Sequence, residues 1–380
     1  MVKRRYIEHD VNLYERNVSV CARRHKYNER AAFHPGYYIK EIVEESGLTQ
    51  EDFAKRLNTT PKNLSILIRG EQSLSIDIAT KLSRMLGTTV AYWLNLQQAY
   101  DALVAEFISE EELQKEREVF KHIDYKYFID NFGFPNLYKN VDAQIKLVRE
   151  FLRVASLTVL RENDLAVSFR SYSENLNESN TIKANVMVQI AINKVLKAEA
   201  PKYNKKKFER AIEYSLTQTT NHAGFFPLIK KAFQEAGVII VALPNLSGSG
   251  ISGATKRVDG KILLMVNDRK KYADTFWFTL FHEIGHIING DYGITFENNK
   301  NLAESDADYY AQNKLIPLDK YEEFIRRRQL FTEEVIRDFA EEIDRDPGIV
   351  LGRLQNDGLV SFKERDLSDK LRQKYKVLIV

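Results

Sequence analysis

The chain has 380 residues, is 44% hydrophobic and 29% charged, and carries a formal net charge of +3. That length accommodates two or three domains with cores of their own, in the composition range of soluble globular proteins, and the charge is too small to imply nucleic acid by itself. A single cysteine, Cys21, excludes an internal disulfide and a cysteine-rich zinc module, and suits a reducing cytosol. No apolar run approaches bilayer length, and the start MVKRRYIEHDVNLYERN lacks a signal-peptide core. A cytoplasmic protein with no membrane partner is expected.

Residues 1–33 are basic, with Lys3, Arg4, Arg5, Arg23, Arg24 and Lys26, and read as a solvated arm, with a phosphate-contacting tail as the alternative. From 34 to 100, short helical patterns alternate with tight turns. LTQEDFAKRLNTTPKNLSILIRGEQ, Leu48 to Gln72, has the layout of a helix-turn-helix. Thr49 caps a helix whose Phe53, Ala54 and Leu57 face inward; Thr60 caps a second, with proline first and glycine last. This leaves Lys62, Asn63 and Ser65 on the exposed start of the second helix, the part that meets base edges in a major groove. Lysine suits guanine and asparagine suits adenine, whereas Gln50 and Arg69 are placed for phosphates. The candidate DNA-binding residues are thus Gln50, Thr60, Lys62, Asn63, Ser65 and Arg69. Residues 34–95 hold seven basic and seven acidic side chains. Operator binding therefore needs a homodimer or the basic arm, and a helical protein-binding module is the alternative.

Residues 101–235 read as a helical connecting region built from EEELQKEREVF, NVDAQIKLVREFLRVAS and TIKANVMVQIAINKVLKAEA, broken by a polar loop at SYSENLNESN. At Gly237 the period changes. GVIIVALP is a β-branched run of the kind found in buried strands, and Asp259-Gly260 between GATKRV and KILLMVN signals a hairpin. A small sheet therefore precedes FWFTLFHEIGHII, a helix that Asp274 or Thr275 can cap and Asn289-Gly290 can end.

On that helix His282 and His286 share a face one turn apart and can reach one ion. Zinc accepts neutral imidazole nitrogens and, in catalytic sites, keeps a position for water. Glu283 beside the first histidine would take that water's proton, which is the chemistry of His-Glu-x-x-His peptidases. Phe276, Phe278, Leu280, Phe281, Ile284, Ile287 and Ile288 surround the pair with apolar groups, so two histidines there need a partner to offset desolvation. For the third ligand, NLAESDADYYAQNKLIP offers Glu304 first, then Asp306, then Asp308. Glu304 with Asp308 one turn on, holding a ligand histidine from behind, is a sensible set. The alternative is an acidic helix start favoured by the dipole. His122 and His222 read as ordinary structural or surface histidines.

HPGYYIKEIVEESGLTQEDFAKRLNTTPKNLSILIRGEQSLSIDIATKLSRMLGTTVAYWLNLQQAYD closely resembles the helix-turn-helix of HigA-type antitoxins, within the wider XRE repressor class. GVIIVALPNLSGSGISGATKRVDGKILLMVNDRKKYADTFWFTLFHEIGHII, with ESDADYYAQNKLIP and DPGIVLGRLQ, resembles the ImmA/IrrE metallopeptidase family. The resemblance covers most of residues 34–360. It implies His282, His286 and Glu304 as ligands of Zn2+, Glu283 as general base, and a specific repressor protein as substrate. The family's acidic-x-x-Ala-Asn/Asp pattern stands here as Glu304-Ser305-Asp306-Ala307-Asp308, followed by Tyr309-Tyr310 where relatives often have phenylalanine. The resemblance also implies ISGATK as a free edge strand able to pair with an extended substrate.

The expected fold is α+β and mostly helical. It has a basic arm (1–33), an all-α helix-turn-helix domain (34–100), a helical middle (101–235), a small sheet with a zincin-like histidine helix (236–320) and a helical C-terminal region (321–380). The expected function is a DNA-binding regulator, nucleoid-associated when bound to double-stranded operator DNA. Its zinc peptidase domain would cut a repressor, a toxin or the chain itself. The competing reading is a non-enzymatic antitoxin whose peptidase-like domain holds a cognate toxin or a ligand. A secreted general protease fits neither the missing export signal nor the missing disulfides. For the oxyanion, Tyr309, Tyr310 or an arginine could serve.

Overall fold

The computed structural model describes residues 24–27, 30–162, 177–269, 271–296, 302–327, 330–375 and 377. Cys21, the basic residues up to Arg23 and most of the polar stretch SYSENLNESN lie outside the described residues. The chain divides into two compact units, Met1–Gln114 and Lys115–Val380. The architecture is α+β and mostly helical, with a small mixed sheet, as expected.

The first unit opens with a hairpin of β1 (Arg24–Tyr27) and β2 (Arg30–Phe33), paired from Arg24↔Phe33 to Tyr27↔Arg30. This end of the basic segment thus has regular backbone pairing. Arg30 is bonded to Glu106 and Glu110 and lies over the ring of Phe107 at 5.2 Å, so its charge is already matched. Four short helices follow: α1 (Pro35–Glu45), α2 (Gln50–Arg56), α3 (Pro61–Ile68) and α4 (Ile76–Leu86). Their starts are written in the sequence. His34 accepts from Gly36 N, Thr49 from Asp52 N, Thr60 from Asn63 N and Ser75 from Ile78 N, each satisfying a donor that the first helical turn leaves open. The core they close holds Ile39, Phe53, Leu57, Leu64, Leu67, Leu82 and Trp93, all buried. Then α5 runs unbroken from Val90 to Phe120. No glycine or proline interrupts the chain between 90 and 120.

In the second unit α6 (Tyr125–Phe132), α7 (Val141–Leu152), α8 (Glu178–Lys197), α9 (Lys205–Leu216) and α10 (Phe225–Glu235) precede the sheet strands β3 (Val238–Leu243), β4 (Ile251–Val258) and β5 (Lys261–Asn267). The histidine helix α11 (Ala273–Asn289), strand β6 (Gly293–Phe296) and helices α12 (Leu302–Leu315), α13 (Leu318–Arg327), α14 (Glu333–Glu342), α15 (Pro347–Asn356) and α16 (Arg365–Leu371) complete it. The strand order is β3-β5-β4-β6, with β3 parallel to β5 and the other pairs antiparallel. The Asp259-Gly260 hairpin joins β4 to β5 as its sequence announced.

Side-chain alternation splits the sheet into two buried faces. Val238, Ile240, Ile262, Leu264 and Val266 join Trp277, Leu280, Phe281 and Ile284 of α11 in one core. Each such side chain contributes about 1.5–3 kcal/mol on burial. Lys261, of opposite parity, sends its ammonium to the carbonyls of Val195 and Ala198, placing the C-terminal end of α8 on the other face. Helix α8 is buried almost all round, so it belongs to the body of this unit.

The start of α11 is held in a way the sequence did not announce. Its cap residue, Tyr272, makes no side-chain cap bond, and Asp274 is not a cap. Asp274 is instead buried against Arg372 at 2.9 Å. The backbone there pairs with the C-terminal segment: Ala273 donates to Gln373 O at 2.9 Å and Tyr375 donates to Lys271 O at 2.8 Å. A carboxylate in the first turn also favours the helix dipole.

The free edge expected at ISGATK is not free. After α11 the chain returns as GITF, a β-prone run, and β6 pairs with β4 from Ile251 to Thr255. Among the described residues the open edges are β3 and β6. No described helix is long and apolar enough to cross a membrane.

Candidate metal centre and nucleic-acid interface

Two helices build the histidine site. Helix α11 supplies His282, Glu283 and His286, and α12 supplies Glu304. The two helices can approach because Gly285 faces Ala307: a Cβ on that glycine would stand 3.2 Å from Ala307 Cα. Gly290 then ends α11 in the left-handed region, with φ of 75°. This turn folds the chain back, so Asp291 N donates to His286 O at 2.9 Å and its carboxylate reaches the same residue's ring.

His282 Nε2 lies 3.0 Å from His286 Nε2 and 3.0 Å from Glu304 Oε2, and His286 Nε2 lies 3.7 Å from the same oxygen. Donors at 2.0–2.1 Å around a tetrahedral zinc ion stand about 3.3 Å apart, so these separations bracket what one ion needs. All three side chains are buried. Each imidazole is also fixed from behind: His282 Nδ1 meets Asp308 Oδ1 at 2.8 Å, and His286 Nδ1 meets Asp291 Oδ2 at 3.2 Å. A carboxylate on Nδ1 turns Nε2 toward the common centre and makes it more basic. The donor set therefore fits a metal ion.

The buried imidazole of His282 and the carboxylate of Glu304 shift one another's proton affinity. Burial disfavours a charged His282, but the carboxylates of Asp308, Glu304 and Glu283 outweigh it and hold the imidazole up to about 9. Burial likewise raises Glu304, yet the two histidines win and bring it down to about 2. A cluster of this kind exchanges protons for a cation readily.

Glu283 is fully buried, and Gly253 of β4 lies directly against its side chain. Of the other acidic candidates, Asp306 is exposed and away from the centre. Tyr309 is exposed, while Tyr310 packs its Cβ near Gly285. Two contributors were not read from sequence, Asp291 and Gly253. Asp291 was within reach of a closer reading, since Asn-Gly-Asp after a histidine helix is a turn that brings an acid back. Gly253 carried no sequence signal.

In the first unit, Gln50 and Lys62 are exposed and their side chains make no hydrogen bond among the described residues. Asn63 is committed at both ends: Nδ2 donates to Thr59 Oγ1 at 2.9 Å and Oδ1 accepts from Gln72 Nε2 at 2.8 Å. Arg69 is bonded to Ser65 and to Glu71, the latter at 2.8 and 3.0 Å. Thr60 is exposed and serves as the cap of α3. The side chains of Gln50 and Lys62 are thus uncommitted, whereas those of Asn63, Ser65 and Arg69 are tied to internal partners.

Comparison with known proteins agrees with this division. A helix-turn-helix family model matches residues 39–93, and the IrrE N-terminal-like domain matches residues 239–343. Virulence-associated protein I of Dichelobacter nodosus is 35% identical over 80 residues, covering 21% of this chain and 74% of that protein. The uncharacterized HTH-type transcriptional regulator YddM of Escherichia coli K12 is 35% identical over 72 residues, 19% of this chain and 77% of its own. A solved structure from Nostoc punctiforme, a candidate antidote protein of a plasmid maintenance system, is 32% identical with a TM-score of 0.22, covering 22% of this chain and 92% of that one.

Proposed function

We propose, on the premise that this chain belongs to the HTH-type transcriptional regulators and carries an IrrE N-terminal-like domain, that it is an operator-binding regulator with a zinc-dependent peptidase. The peptidase cuts one specific protein: a repressor, a toxin or the chain itself. The observation that carries the reading is the buried convergence of His282, His286 and Glu304 beside the buried Glu283. Polar groups buried in an apolar helix interface are costly to keep without a ligand.

When bound, zinc would polarise the scissile carbonyl and acidify a water. The chain's own residues do the rest. Asp308 and Asp291 keep both imidazoles aimed inward. The Glu283 carboxylate takes the proton from the attacking water as the C–O bond forms, and hands it to the leaving amine nitrogen when the tetrahedral adduct collapses and the C–N bond breaks. On the DNA side, the neutral balance of residues 34–95 favours a homodimer, in which two copies share the phosphate contacts across two half-sites.

The deciding experiment compares new protein N-termini in cells producing the full chain or its Glu283→Gln variant, with zinc content measured on both purified proteins. Termini that appear only with the native glutamate, at equal zinc content, support the reading. Identical sets of termini overturn the peptidase and leave a DNA-binding regulator with a metal-holding domain.

A further inference from the structure

A cavity of about 770 Å³ runs along the outer edge of β3, and none of the histidine-site residues lines it. Among the described residues β3 pairs only with β5, where Ile262 donates to the Gly237 carbonyl. Successive strand residues turn their N–H and C=O groups to alternate sides in a parallel ladder, so those of Ile240 and Ala242 face the cavity. Phe226 of α10, Phe276 of α11 and Tyr375 form apolar walls. The volume lies within the range of sites for small organic ligands, which pair apolar walls with a few convergent polar groups.

The rim is cationic. Lys194 at the end of α8 and Lys230 of α10 both line it, with Lys271 and Lys374. Burial first, then the neighbouring Lys230 and Lys197, hold the Lys194 ammonium below its ordinary range, and neither Lys194 nor Lys230 has an ion-pair partner among the described residues. The acidic and imidazole groups of the lining are already engaged. Asp268 accepts from Asn245 N and Val377 N, and His222 meets Asp346 and Tyr375. Two neighbouring ammoniums lining an apolar slot with outward backbone N–H groups are suited to an anion with an apolar body.

We propose that this cavity binds a small amphipathic anion, its carboxylate, sulfonate or phosphate head held between Lys194 and Lys230. The proposal stands independently of the peptidase reading. Because Thr275 and Phe276 also line the cavity, an occupant would touch the helix that carries His282, about two turns upstream of it.

The test titrates the full chain with 1-anilinonaphthalene-8-sulfonate and with its neutral analogue N-phenyl-1-naphthylamine, following fluorescence. The expected result is saturable one-to-one sulfonate binding. The Lys194→Gln/Lys230→Gln double variant should weaken it about tenfold or more, with the neutral analogue unmoved. Ala242→Phe, which fills the slot, should weaken both probes. Equal weakening of both probes by the lysine changes, or no weakening, overturns the proposal. So does a native chain that binds neither probe while a chain ending at Val377 binds both, since its own end then fills the slot. If Ala242→Phe fails to fold, the lysine variants, which alter only rim side chains, decide alone.

Discussion

Gly253 and Glu283 touch so closely that a Cβ on the glycine would stand 2.3 Å from Glu283 Oε1, 2.6 Å from its Cδ and 2.7 Å from its Cγ. Glu283 is fully buried and has no solvent to retreat into. The strand therefore forms one wall of the base's seat. Gly253→Ala is expected to displace the carboxylate and lower cleavage by about 10²-fold, the scale on which small misplacements act, while zinc content stays unchanged. Full activity in that variant would mean the base works from another position.

The carboxylates behind the histidines give a graded series. Asp308→Asn and Asp291→Asn are each expected to weaken zinc binding by about 10–100-fold, and Glu304→Ala, which removes a donor, by more. Competition with a chromophoric chelator measures all three. Unchanged affinity in Asp291→Asn would show that its 3.2 Å contact does not orient His286.

Metal removal should be felt as stability. Zinc at a thousand times its dissociation constant stabilises the folded state by about 4 kcal/mol. Chelation should accordingly lower the melting temperature of the second unit and leave the first, which holds none of the donors, where it was. A melt unaffected by chelator and by added zinc would argue against any site at His282, His286 and Glu304.

A pH dependence follows from Asp346, which caps α15 through Gly348 N and meets His222 Nε2 at 3.0 Å. Burial raises its carboxyl from 3.8 to about 6, with His222 opposing. A folded pKa above the unfolded one means the contribution is full below pH 3.8 and is lost as pH rises through about 6. The loss is on the order of 2–3 kcal/mol. Asp346→Asn, which keeps an acceptor, should flatten the stability profile over that window. A variant with the same slope as the native chain would assign the titration elsewhere.

For DNA, Lys62→Ala should cost about 1–3 kcal/mol on the operator and much less on random duplex. Gln72→Ala tests the Asn63 latch: with Oδ1 released, operator affinity should change while the cap bond from Asn63 N to Thr60 holds the helix start. Equal losses on both duplexes for Lys62→Ala would reduce it to a phosphate contact.

Much of this was legible because it is local. Caps at Thr49 and Thr60, the Asp259-Gly260 turn, His282 and His286 one turn apart, and Glu304 with Asp308 all lie within a few residues of the features that identify them. Relations across the chain were not legible. Asp274 resembles a cap until Arg372 arrives 98 positions later. ISGATK resembles an edge until GITF lies down beside it. The pairing of Arg30 with Glu106 and Glu110 spans 76 and 80 residues and left no local sign. Side-chain type and spacing encode what a residue can do nearby; its far partners depend on how the sheet and helices stack.

The donors and their carboxylate supports fall between His282 and Asp308, whereas the seat of Glu283 is formed by β4 and the anchor of α11 by Arg372. Closing a short loop costs little chain entropy, and closing long ones costs more and comes later. Gly253 to Glu283 spans 30 residues and His282 to Asp308 spans 26, whereas Asp274 to Arg372 spans 98, so the contact that anchors the start of α11 closes by far the longest of these loops.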